Sequence, residues 1–219
     1  MARSRSHQTP RGTVRTATLP YGLREEDFSS AVERVESLLT AINASCSGLG
    51  MGQIEELLTT KATLTAMISD VFAGALAAAS ERLVVNQYPN GHPDLVPDGL
   101  YPGNAVQEGG EGVEVKATKG RVSDAHGARK AWWCQVLYIP QNPADKDSPP
   151  TQIDEVQLAK LDERHFRSNP RMTETGTRTS TPNRRGLDLL RKNVVFRRLR
   201  SGVPEAHTGQ GEVLPLRRA

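Results

Sequence analysis

Val113-Glu114-Val115-Lys116-Ala117-Thr118 alternates apolar and polar residues over six positions. Period-two alternation marks a strand with one buried face, because successive side chains leave a strand on opposite sides. Val113, Val115 and Ala117 are therefore expected to point into a core. Glu114, Lys116 and Thr118 share the other face, with Glu114 and Lys116 ~6.6 Å apart along it. A carboxylate beside an ammonium on such a strand suits phosphodiester hydrolysis. The carboxylate can hold a divalent metal, while the ammonium stabilises developing negative charge or activates the attacking water. An exposed strand with a weak surface ion pair is the alternative reading.

A metal site of this kind needs a second oxygen ligand from a neighbouring strand. His92-Pro93-Asp94-Leu95-Val96 reads as that strand, with Asp94 at its start. Pro97-Asp98-Gly99 and Pro102-Gly103-Asn104 are turn sequences that fold the chain back toward Glu114. Asp98 is a second aspartate after a proline, but Asp98-Gly99 has turn chemistry, so Asp94 is favoured. Two protein carboxylates suffice for magnesium, which retains several waters.

Upstream, Phe28, Val32, Val35, Leu38, Leu39 and Ile42 fall at helical spacing. A second, longer helix is expected from about 52 to 82, with a stripe of Ile54, Leu57, Leu58, Leu64, Ile68, Val71, Phe72 and Leu76. Downstream, Trp132 to Ile139 is the most hydrophobic strand, and Pro140 to Pro150 is a polar connector. Thr151 to Phe166 holds a strand or helix, and Leu187 to Leu199 begins helically and ends as β. Together these patterns predict an α/β fold, a mixed central sheet flanked by helices, with the long N-terminal helices packed on it. The expected organisation is a flexible basic tail over 1–22, one domain over 23–200, and a flexible tail over 201–219.

The chain has 219 residues and a net charge of +3, unevenly spread. Arg164 to Arg200 carries ten arginines and one lysine against two acids, a local +9 that leaves −6 for the remainder. A basic block of that size, about 164–200, points to a polyanion, whose counterions are released on binding; a solubilising segment is the plainer explanation. Cys46 and Cys134 are the only cysteines and lack disulfide or zinc-ligand spacing, as expected of reduced thiols in a cytoplasmic protein. The longest unbroken apolar run, Val71 to Ala79, falls short of the ~20 residues that span a bilayer, and no membrane association is expected.

Pro93-Asp94, nineteen intervening residues, then Glu114-Val115-Lys116 resembles the PD-(D/E)XK motif of restriction endonucleases and related nucleases. The resemblance covers about residues 50 to 140. It implies a restriction endonuclease-like fold in which Asp94, Glu114 and the Val115 carbonyl bind Mg2+ and Lys116 assists the nucleophilic water. A helix ahead of the first strand often carries a further acid in that superfamily; Glu55, Glu56 or Asp70 would be its counterpart here. Some members place a Gln after the Lys with a Tyr nearby, and Gln135 with Tyr138 is similar, though at shorter spacing.

The resemblance implies an endonuclease for double-stranded DNA, a type II-like restriction enzyme encoded beside a DNA methyltransferase. Cutting both strands of a symmetric site calls for a homodimer. A repair, transposition or phage nuclease of the same superfamily, and a non-catalytic DNA-binding protein, are the competing readings. His92 and His126 can contact phosphate or act as acids near neutrality, and Lys119, Arg121, Arg129 and Lys130 can hold a DNA backbone. Arg178 to Arg185 reads as a DNA-contacting loop, with Arg178, Arg184 and Arg185 suited to guanine or phosphate and Asn183 to adenine.

Overall fold

The computed structural model describes residues 19–58, 60–120, 125–126, 130–142, 144–145, 148–168 and 179–199. The two expected tails, apart from the stretch 19–22, lie outside these residues, as do Arg121, Arg129 and Arg178. The chain begins with helices α1 (Glu25–Gly48), α2 (Ile54–Leu57) and α3 (Lys61–Ala79). Strands β1 (Leu83–Val85), β2 (Leu95–Pro97), β3 (Val113–Thr118), β4 (Ala125–His126), β5 (Ala131–Ile139), β6 (Gln152–Leu161), β7 (Phe166–Ser168) and β8 (Thr179–Pro182) follow. Helix α4 (Arg184–Lys192) and strand β9 (Val194–Arg197) complete the described fold.

Six strands form one sheet in the order β1-β2-β3-β5-β6-β9, and β4-β8-β7 form a smaller one. Only β3 and β5 run parallel; every other neighbouring pair in the large sheet is antiparallel. The fold is thus α/β with a mixed sheet flanked by helices. One sheet face carries α1 and α3: Phe28, Val32, Ile68, Phe72 and Leu76 meet Val113, Val115, Cys134, Val136 and Leu158 in the main core. On the opposite face, Trp133, Ala159, Leu161, Phe166 and Leu190 pack together at one end. Trp133 and Phe166 meet there edge to face, with ring centroids 5.3 Å apart.

The alternation read from β3 holds: its three apolar residues enter the helical core while Glu114, Lys116 and Thr118 take the other face. Several boundaries differ from expectation. The single long helix over 52–82 is instead α2 and α3, separated around Leu58 to Thr60, where both flanking residues are extended. Two consecutive β-branched threonines weaken helix propensity at that point. Residues 83–85, absorbed by neither the helix nor the turn in the sequence pattern, form edge strand β1. Strand β2 begins at Leu95, one residue after Asp94 rather than at His92. Thr151 to Phe166 resolves into strand β6 and a short 3-10 turn, and α4 starts three residues before Leu187.

Helix α3 has the length and mean hydropathy (1.5 over Ala62–Ala79) that a membrane span would also show. Its apolar residues Leu64, Ile68, Phe72 and Leu76 are buried in the main core, which accounts for that composition.

Gly112 sets the start of β3. Its φ is +138°, and a Cβ there would stand 2.1 Å from the Leu95 carbonyl oxygen and 2.4 Å from Pro93. Only glycine lets β3 approach the Pro93–Leu95 segment this closely. Gly112→Ala is expected to cost on the order of 2 kcal/mol or more, read as a lower urea midpoint; an unchanged midpoint would show that the two segments are not held so tightly.

Candidate functional site

The polar face of β3 meets the residues just ahead of β2. Asp94 is held from two sides: its carbonyl accepts from Asn86 N–H at 2.9 Å, and its Oδ2 accepts from Val115 N–H at 2.7 Å. The side chain thus takes a ladder position that strand backbone would otherwise fill. N–H and C=O of one strand residue leave on the same side, so the Val115 carbonyl faces the Asp94 side of β3.

Lys116 Nζ lies 2.5 Å from Glu114 Oε1 and 3.7 Å from Asp94 Oδ2. Both carboxylates reach one ammonium, so their separation cannot exceed the sum of those distances. His92 Nδ1 comes to 2.7 Å of Glu114 Oε2, an ion-pair distance, but without the alignment that would give Oε2 a hydrogen-bond partner. His92 Nε2 and Trp133 Nε1 are likewise buried with no hydrogen-bond partner, and Trp133 stands beside Glu114 in the sheet register. Buried polar atoms left in this state cost about 1–3 kcal/mol each, and are where bound ions, water or substrate complete the shell.

The charges are strongly unequal. Burial and the adjacent Glu114 charge push Asp94 up to about 6, against the opposing pull of Lys116 and the Val115 N–H. Burial also works against ionised Glu114, but His92 and Lys116 beside it prevail and lower it to about 2. Burial works against charged Lys116 too, yet Glu114 and Asp94 outweigh it and raise the ammonium's pKa, with a smaller contribution from Asp70. Near pH 7 the cluster holds more carboxylate than ammonium charge in a partly desolvated place.

Of the three acids left open on the N-terminal helices, Asp70 contributes to keeping Lys116 charged. Glu55 accepts from Asn43 at 3.1 Å and from the Thr151 hydroxyl, and Glu56 accepts from Gln53 N–H at 3.1 Å, so both serve the joint between α1 and α2. Asp98 accepts from the Asn104 side chain at 2.8 Å and belongs to the turn. Gln135 is buried directly opposite Lys116 in the register, whereas Tyr138 turns to the helical core and meets Thr65 Oγ1 at 2.7 Å. Among the described residues no group of three or more His, Cys, Asp or Glu forms an all-protein metal cage. Two carboxylates, a backbone carbonyl and waters are the donor set hard Mg2+ takes.

The basic segment is arranged differently from a free loop. Asn183 caps α4: its Oδ1 accepts from Arg185 N–H and Gly186 N–H at 2.9 and 3.2 Å, and its Nδ2 donates to the Arg164 and Phe166 carbonyls. Its amide is therefore engaged in structure rather than offered to a base. Arg184 and Arg185 are exposed on the first turn of α4, and Lys119 and Lys130 are exposed near the ends of their strands. His126 lies in β4.

Asn86 carries no signal for a role at the site in the sequence pattern, yet the structure makes it an anchor. Its side chain donates to the Pro93 and Val106 carbonyls at 2.9 and 2.8 Å and accepts from Val106 N–H and Tyr88 N–H, each at 3.0 Å. It thereby fixes the segment carrying His92 and Asp94; in the sequence it is only an asparagine ahead of a Tyr-Pro-Asn-Gly turn.

Compared with models of known protein families, with curated proteins and with solved structures, the chain matches none.

Lys116 is among the groups that hold Asp94 ionised. Lys116→Met should therefore move the Asp94 carboxyl titration, followed by carbon NMR, upward from about 6. A midpoint that stays or falls would mean that the ammonium does not reach Asp94.

Proposed function

We propose that this chain is a cytoplasmic, magnesium-dependent endonuclease of the PD-(D/E)XK type that hydrolyses double-stranded DNA, acting as a homodimeric, type II-like restriction enzyme. One observation carries the reading: Asp94 and Glu114, from consecutive segments of one sheet, converge on the ammonium of Lys116. That convergence is what the motif resemblance requires.

Asp94, Glu114 and the Val115 carbonyl would hold the ion, and the Asp70 charge on α3 adds to the field at Lys116. Bound there, Mg2+ would polarise a phosphoryl oxygen and lower the pKa of a water. Lys116, kept charged by its two carboxylates, offsets negative charge building on the phosphate and orients the incoming water. His92, at ion-pair distance, helps keep Glu114 ionised. Asp94 must give up its proton before it can take a cation, since metal ligands bind deprotonated.

Plasmid DNA incubated with the protein and Mg2+ is the direct test. Wild type should cut, and Asp94→Ala or Lys116→Ala should lower the rate at least ~1000-fold, within the range for removing groups that act on the transition state. Discrete fragments support a restriction enzyme and smears a less selective nuclease of the same type. Intact DNA with a gel shift would leave only a DNA-binding protein.

The pH profile follows from Asp94. Its carboxyl is protonated below about 6, so the cleavage rate at limiting Mg2+ should fall about tenfold per pH unit below that value and level off above it. A rate flat from pH 5 to 7 contradicts the assignment of Asp94 as a metal ligand.

A further inference from the structure

A groove of about 490 Å3 opens on the same sheet face as the Asp94–Glu114–Lys116 cluster, lined by Leu137, Glu155, Gln157, Leu187, Arg191 and Arg197. The register links the two places. Lys116 stands opposite Gln135 across β3 and β5, and Gln135 stands opposite Gln157 across β5 and β6. Directly paired residues share a face, so Lys116, Gln135 and Gln157 form one polar row across the sheet. Gln135 Nε2 donates to Gln157 Oε1 at 3.4 Å, and Gln157 Nε2 donates to Glu155 Oε1 at 2.5 Å. Gln157 ends the row and lines the groove.

The far wall is α4. Leu187 and Arg191, one turn apart, face the groove, while Gly186 and Leu190 are buried. The helix carries Arg184, Arg185, Arg191 and Lys192 against a single acid, Asp188. Arg197 is engaged by Glu155 at 2.8 Å. Arg191 spends one N–H on Asp188 at 3.2 Å, out of the five that a guanidinium offers.

We propose that this groove holds the sugar-phosphate backbone of the DNA strand running away from the cut bond, with Arg191 contacting a phosphate. The inference rests on the nuclease reading and extends it to residues beyond the expected contact loop. Two strand spacings, ~10 Å, separate Gln157 from Lys116. The groove mixes polar and charged side chains with the leucines at 137 and 187, which offer apolar surface to a sugar.

Binding of a labelled DNA duplex, followed by fluorescence anisotropy across a salt series with Ca2+ replacing Mg2+, tests this. Arg191→Ala should weaken binding several-fold and flatten the log-affinity against log-salt slope by about 0.9, the contribution of one phosphate contact. Arg191→Lys should restore most of that slope. Arg34→Ala, which removes an exposed charge from α1 on the other side of the sheet, should change neither quantity. Equal binding by wild type and Arg191→Ala, or an equal loss in Arg34→Ala, overturns the groove assignment. Plasmid cleavage by the same preparations separates the two claims. Cleavage with no Arg191 effect on binding sinks the groove alone, an Arg191 effect without cleavage sinks the nuclease reading alone, and a wild type that binds no duplex sinks both.

Discussion

Two carboxylates and one ammonium in a partly desolvated seam between β2 and β3 set the terms for everything around them. Like charges this close cannot both ionise freely, and the response is asymmetric: Glu114 stays ionised well below neutrality while Asp94 holds its proton up to about 6. Such a cluster is a poor device for stability. A buried pair gains little over apolar packing, and removing one partner strands the other. Its cost becomes intelligible if the seam exists to take a cation. The divalent ion would then meet the charge that a single lysine leaves unbalanced.

The rest of the fold serves that seam. Helices α1 and α3 pack on one sheet face behind β3 and β5, with Ser69 on α3 accepting from Ala117 N–H at 2.8 Å. Gly112 removes the Cβ that would keep β3 away from Pro93 and Leu95. The Tyr21 hydroxyl accepts from Gly112 N–H at 2.9 Å and donates to Glu111 at 2.7 Å, tying the chain ahead of α1 to the two residues just before β3. Asn86 anchors the other side. Among the described residues, the opposite sheet face carries the Trp133–Phe166 contact at one end and the groove walled by α4 at the other. A polymeric substrate could lie along a face of that shape, which a closed small-molecule pocket would exclude.

Much of this could be read from residue order. Alternation in 113–118 assigned the faces of β3, and helical spacing found α1, because both patterns are local consequences of burial. The pairing of Asp94 with Glu114 was legible only as a motif; nothing in 92–96 announces that Asp94 would replace a backbone partner of Val115. The choice among Glu55, Glu56 and Asp70 was not legible, since it depends on how α3 lies on β3 and on Glu55 and Glu56 being drawn into the α1–α2 joint. Strand β1 was too short for a periodic signal, and its identity comes from pairing with β2. Asn183 looked like a base reader because capping and recognition use the same amide, and only the position of the α4 start decides between them.

The central claim is that the seam binds a divalent ion, and the most direct measurement is anomalous diffraction from a crystal soaked in Mn2+ at pH 7.5. The account predicts a peak ~2.1 Å from carboxylate oxygens of both Asp94 and Glu114, the distance for a hard octahedral ion. A saturating soak that leaves no peak at the seam, with the Lys116 ammonium still seated between the two carboxylates, would contradict it.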